Sequence, residues 1–307
     1  MSGALQALFF VPVTAGVSGV GIFTGGWNLG FAARLASSTK YTFSTDAVTG
    51  GTAIAAIRAA LASNAVGDTS IGFISGGENV SYFATTDRYT YSGDTVAGGT
   101  AIGTAKGNIA SMGNSTRGIY LGGFTGADVS TSDKRTYSGD TVAAGGSATA
   151  AFREGGACAS STIGYAGGGT RAGAATALLD KYTFSTDVAA AGTVLGSARQ
   201  APAAVGNTTR GIFAGGLVSG SASATSDKYT FSGDTVASAT SISQARNQFV
   251  TAGQSTFGIF GCGYNSSAII VATSDKYTFS SDANAASTSL STERYSPSGV
   301  SSNPGGF

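Results

Sequence analysis

The sequence predicts an all-β protein, a six-bladed β-propeller of four-stranded antiparallel blades. Two observations carry that expectation: a unit of about 47 residues recurs six times, and each unit is broken by glycine and turn residues at fixed places. Fixed-period self-similarity on this scale is the mark of a fold in which no single unit can bury its own apolar face.

Each unit carries two linked strings. The first is an apolar pair followed by glycines: GIFTGG from Gly21, GFISGG from Gly72, GIYLGG from Gly118, GYAGGG from Gly164, GIFAGG from Gly211 and GIFGCG from Gly258, at intervals of 51, 46, 46, 47 and 47. The second reads YTFSTD from Tyr41, YTYSGD from Tyr89, RTYSGD from Arg135, YTFSTD from Tyr182, YTFSGD from Tyr229 and YTFSSD from Tyr277. The grammar is β throughout. A small, alternating strand a, such as 201–206, meets a tight turn and then strand b, the first string. A variable loop leads to strand c, whose Tyr and Phe at i and i+2 share one face of a sheet. The Ser-Gly-Asp turn opens strand d, placed at 99–106 in the second unit. Blades taper toward the axis, so the Ala- and Gly-rich strand a belongs innermost and the aromatics belong between blades. A β-solenoid also repeats, but with shorter coils than these.

Composition agrees. Forty-eight glycines in 307 residues is roughly twice the usual share, yet 42% of the chain is hydrophobic, with 17 Phe and 12 Tyr to build a core. Glycine, apolar content and repeat together exclude disorder. A net charge of +1 gives no electrostatic footprint for nucleic acid. The uncharged first 33 residues lack a basic leader region, and Pro12, Gly16, Gly19, Gly21 and Gly25-Gly26 break the apolar run, so neither a signal peptide nor membrane insertion is expected. The expected organisation is an N-terminal arm over 1–11, the propeller over 12–294 and a C-terminal tail over 295–307. The chain then starts on strand a and ends on strand d, and one terminal segment, 2–11 or 295–307, is expected to latch the ring by pairing with the far blade.

In the fifth unit the glycine pair Gly215-Gly216, then Tyr229, then Arg246 resembles the kelch repeat, and the resemblance extends over nearly the whole chain in six copies. The chain departs from that family in having no strand-d tryptophan, Trp27 being its only one, and no proline-arginine pair before strand a. The Ser/Thr/Gly-rich wording, as in DKYTFSGDTVA at 227–237, is similar to the kelch-like repeats of tailed-bacteriophage virion proteins, those of cyanophages among them. That resemblance implies a virion component, in a tail, fibre or capsid surface, docking to other virion subunits or to copies of itself; the alternative is an extracellular or cell-surface protein.

Chemistry is sparse. The chain has no histidine, which removes Ser-His and Cys-His nucleophile systems and imidazole metal sites. The resemblance would otherwise admit kelch-like copper oxidases, whose metal site needs histidine. Of the 16 carboxylates, six are the turn residues Asp46, Asp94, Asp140, Asp187, Asp234 and Asp282, and five precede strand c, namely Asp87, Asp133, Asp180, Asp227 and Asp275. Only Asp68, Glu78, Asp128, Glu154 and Glu293 stand outside the repeat, and nothing in their placement converges on a catalytic pair. Turn Asp is expected to bond its own backbone two residues on. The glycine strings lack a P-loop pattern and a following helix. Cys158 and Cys262 sit at small-residue positions and read as small buried side chains. Sequons occur at Asn79, Asn114, Asn207 and Asn265; the a–b turn explains Asn114 and Asn207. A non-enzymatic protein with no cofactor and no metal is expected.

Two sets of candidate binding residues emerge. The b–c loops vary while the Ser-Gly-Asp turns do not, and these loops carry Trp27, Phe31, Tyr82, Phe83 and Tyr264, suited to a protein interface or to a host-surface glycan. Arg58, Lys106, Arg199, Arg246 and Arg294 each lie 17 residues after the start of the second string, with Arg153 one step out of phase. They read either as blade-joining donors to backbone carbonyls or as an anion-facing mouth.

Overall fold

The computed structural model describes residues 19–28, 33–59 and 65–302, and every regular element among them is a β-strand. Six four-stranded antiparallel sheets are arranged as the blades of a β-propeller. Blade 5 shows the plan: Ala203–Gly206 is strand a, Arg210–Ala214 strand b, Ser226–Thr230 strand c and Thr235–Ala239 strand d. Strand a is buried along its length and strand d is mostly exposed. Burial therefore falls from axis to rim, which is why the innermost strand holds Ala, Val and Gly while the outermost tolerates Ser and Thr. Strand d of blade 2 is Thr95–Gly99, directly after the turn rather than over 99–106; the later residues form the connection to blade 3.

The first glycine of each strand-b string sets how closely blades approach. A Cβ on Gly21, Gly72, Gly118, Gly164, Gly211 or Gly258 would fall 2.2 to 2.7 Å from Ala252, Val300, Val66, Met112, Cys158 or Val205 respectively, each on strand a of the preceding blade. Six knobs thus sit over six glycine holes. Cys158 is one of those knobs, and both cysteines are buried and unbridged. Further out, aromatics cement neighbouring blades: Tyr165 stacks on Phe231 at 4.3 Å and Phe73 on Tyr137 at 5.7 Å.

The ring is closed by the C-terminus. Ser298–Ser301 pairs antiparallel with Val20–Thr24, so the innermost strand of blade 1 comes from the far end of the chain. The terminal latch expected from the sequence is present, and the tail boundary moves: 298–301 belongs to the propeller. The arm over 1–11 and the strand a expected from Pro12 lie outside the described residues. Val20–Thr24 has Ser38–Thr42 on its other edge, so both of its ladders are filled.

The turn aspartates do something other than the expected bond to their own backbone. All six adopt positive φ, between 44° and 56°, a conformation Asp tolerates better than most residues. Five of their carboxylates reach across the rim to the strand-c lysine of the preceding blade: Lys40 to Asp94 at 2.9 Å, Lys276 to Asp46 at 2.9 Å, and the pairs Lys134–Asp187, Lys181–Asp234 and Lys228–Asp282. The sixth, Asp140, pairs with Arg135 of its own blade. The Lys276–Asp46 pair spans the closure between blades 6 and 1. Burial alone would raise the Asp94 carboxyl, but hydrogen bonds from Tyr89, Lys40 and the Thr52 amide outweigh it and bring it down to about 2 from 3.8. A carboxyl depressed on folding stabilises fully above its unfolded value and loses that contribution as pH falls through its folded value. Thermal melts should therefore drop between about pH 4 and pH 2, and Asp94→Asn should melt lower than wild type at pH 7 while showing a shallower acid decline.

Candidate functional site

The b–c loops and the d–a connections share one face of the disc, and the second-glycine amide of each string registers the two against each other. The amides of Gly26, Gly77, Gly123, Gly169, Gly216 and Gly263 donate to the carbonyls of Arg58, Lys106, Phe152, Arg199, Arg246 and Arg294 at 2.8 to 3.0 Å. The basic ring is thereby placed. Arg58, Lys106, Arg199, Arg246 and Arg294 are each 0–1% exposed. Their charged ends donate to carbonyls of the next blade, as Arg199 does to Gly215 at 3.0 Å and Thr225 at 2.9 Å. Four of them also meet the aspartate preceding strand c: Arg58–Asp87, Lys106–Asp133 at 3.1 Å, Arg199–Asp227 at 2.8 Å and Arg246–Asp275. Burial pushes all five cations down from their ordinary values, with the aspartates opposing that shift in these four. Fully buried, with their terminal nitrogens bonded to the next blade, these residues join blades; the anion-facing mouth is not formed by them.

Two junctions depart from the pattern, each in its own way. Between blades 3 and 4 the cation's place is taken by Phe152, fully buried, because the register there is shifted by one residue. Arg153 lies on the surface side, its guanidinium 2.5 Å from Asp128 and over the Phe124 ring. The cation for Asp180 comes instead from Arg171, 2.5 Å away and lying over the Phe152 ring. Between blades 6 and 1 the cation is kept and the acid is lost. Thr39 stands where the other blades have Asp, and Arg294 donates to Gly25 and Ser37 carbonyls and to the Ser37 and Thr39 hydroxyls.

The aromatic candidates lie on the same face but are half-buried rather than fully exposed. Trp27 exchanges backbone hydrogen bonds with Tyr295 and carries the Arg34 guanidinium over its ring at 3.9 Å. Tyr82 packs edge-on against Phe124 at 5.9 Å, and Tyr264 edge-on against Tyr295 at 5.6 Å. Phe83 holds a repeat position, its carbonyl accepting from the Lys106 amide. Phe31 lies outside the described residues. The aromatics form an arc over blades 6, 1, 2 and 3, whereas the positions matching Trp27 in blades 4 and 5 are Thr170 and Leu217. Sequence reasoning missed Tyr295 and Phe124, although both stand at fixed offsets, one after the junction cation and one after the glycine pair.

At the axis on this face, the second residue after each described junction residue enters strand a through left-handed backbone: Asn108, Glu154, Ala201, Gln248 and Ser296, at φ 46° to 61°. Backbone bonds link neighbours around this ring, from Glu154 to the Asn108 carbonyl, Gln248 to Ala201 and Ser296 to Gln248, at 2.9 to 3.2 Å. Below it, a cavity of about 80 Å³ runs among the strand-a residues Ala65, Ser111, Ala157, Ala204, Thr251 and Gly299. Among the described residues, no cluster of three or more Cys, Asp or Glu side chains is placed to hold a metal ion.

No protein-family model and no curated protein matches this chain. The class rests on strand pairing alone: this is a six-bladed β-propeller.

The uncompensated Arg294 gives a direct test of the junction. The desolvation cost of the guanidinium is already incurred, so a carboxylate opposite it has only its own desolvation to set against the attraction. Thr39→Asp should raise stability by roughly 1.5–3 kcal/mol, the scale of a hydrogen bond to a charged group, read from denaturant unfolding at pH 7. An unchanged midpoint would mean that the neutral acceptors already satisfy this guanidinium.

Proposed function

We propose that this chain is a non-enzymatic binding and structural protein, a virion or surface component that docks a neighbouring protein through its b–c loop face. One contrast carries the reading. The opposite face repeats the same turn in every blade, while the b–c face varies in every loop and holds the aromatic arc. Large apolar side chains stand exposed there as well: Val80 at 98%, Leu178 and Ile269 at 49%, and Ile57, in the connection leading to Arg58, at 52%. Apolar and aromatic side chains presented by rigid loops are what protein interfaces use as anchors. The virion assignment draws on the resemblance of the repeats to kelch-like repeats of tailed bacteriophages, and a chain only 11% charged is consistent with a packed assembly.

Glycan binding by the same arc is the second reading, favoured by the aromatics themselves. Against it, one face of the Trp27 indole is already covered by Arg34, which removes it as a stacking platform for a sugar ring. Catalysis has little to draw on: the chain has no histidine, and the buried aspartates are engaged with cations.

Electron microscopy of the native assembly should show the b–c loop face against a neighbouring subunit; a bare b–c face with the opposite face buried would overturn the proposal. In reconstituted assemblies, Trp27→Ala with Tyr82→Ala should abolish incorporation, since hot-spot truncations cost about 2 kcal/mol or more each in binding. The same pair should leave the thermal melt close to wild type. Tyr229→Ala, in the core between blades, is the contrasting control and should cost roughly 3–5 kcal/mol of stability. A glycan array read with the same proteins separates the two readings.

A further inference from the structure

Glu154 carries a charge that the fold does not use. The buried aspartates Asp87, Asp133, Asp180, Asp227 and Asp275 each face a cation. Glu154 is held at the axial mouth in left-handed backbone at φ 61°, and its neighbour Arg153 is turned to Asp128. Its carboxylate accepts from the Thr170 hydroxyl at 3.2 Å and from the Gln248 side-chain amide at 3.5 Å. The Gln248 amide oxygen in turn accepts from the Ser296 hydroxyl at 2.5 Å. Burial raises the Glu154 carboxyl, with Arg153 opposing, and the same charge lifts the phenol of Tyr295 beside the mouth, already raised by its own burial.

A carboxylate without an ion partner, amide and hydroxyl oxygens beside it, and the Tyr264–Tyr295 pair at the rim are together the chemistry that recognises an organic cation. We propose that the axial mouth takes a lysine or arginine side chain of the docked partner, its ammonium or guanidinium seated on Glu154. The partner's identity as a protein rests on the proposed docking face; the cation site itself does not.

The test uses N-acetyl-arginine amide and N-acetyl-lysine amide as probes, with N-acetyl-citrulline amide as the neutral control, followed by the side-chain amide resonance of Gln248. Both charged probes should shift that resonance saturably and citrulline should not. Glu154→Gln keeps the hydrogen-bonding shape, so it should weaken probe binding tenfold or more while leaving the melting temperature unchanged or higher. An unresponsive wild type, an equal response to citrulline, or an equal response in Glu154→Gln would each overturn the site. So would a saturable shift with calcium chloride when the organic cations are silent. Should Glu154→Gln fail to fold, the wild-type comparison of arginine with citrulline still decides. Loss of incorporation in the Trp27 and Tyr82 variant alongside an unresponsive mouth would sink this inference and leave the docking face standing.

Discussion

The close approach of blade to blade at the axis is the constraint on which the rest of the structure depends. Each strand b carries a glycine as its second residue because a strand-a side chain of the preceding blade occupies the space a Cβ would need. The knobs differ in size, from Ala252 to Met112, but each hole is the same glycine. Tight packing at the axis brings the aromatics of strands b and c into contact further out, at 4.3 Å between Tyr165 and Phe231. It also brings the junction cations within reach of the next blade's carbonyls and aspartate. A ring built this way cannot be left open, since the exposed edge of blade 1 would present both an unpaired ladder and an unfilled hole at Gly72. Ser298–Ser301 fills both, through its backbone and through Val300.

Charge is used in two concentric circles with different physics. At the rim, lysine and turn aspartate meet in partly exposed pairs, which typically contribute little singly and fix the relative rotation of neighbours. Inside, each cation–aspartate pair is withdrawn from water, where removing one partner is costly. The two irregular junctions follow from that asymmetry. Where Phe152 displaces the cation, Arg171 from a neighbouring hairpin supplies another, because Asp180 could not be left alone. Where Thr39 replaces the acid, carbonyls and hydroxyls accept from the two terminal nitrogens of Arg294 without neutralising its charge.

A scaffold so heavily committed to its own repeat leaves variation to one place. Arg171 apart, the b–c loops hang outside the knobs and both charge circles, so their sequences can drift or be selected with little disturbance to blade packing. That separation explains how Trp27, Tyr82 and Tyr264 can differ from their counterparts in other blades, and why Glu154 can carry a charge that no junction requires.

The repeat by itself determined the class of fold, the number of blades, the antiparallel hairpin grammar and the aromatic core, because glycine, turn and aromatic positions are dictated by local geometry and recur six times. It also marked the junction cations by their constant offset. Their partners were not legible: Asp87 and Arg58 lie in different units, and only the packing of blades shows that four of the five buried cations meet the aspartate of the next one. The turn aspartates misled for the same reason, since a local hydrogen bond explains Asp in a turn as well as a lysine from the adjacent blade does. Arg153 looked like a ring member one step out of phase, and only the backbone register identified Phe152 as the true occupant. Which end of the chain closes blade 1 was equally beyond local reading, because the sequence is rich in small residues near both ends and only the strand pairing puts Ser298–Ser301 on the edge of Val20–Thr24.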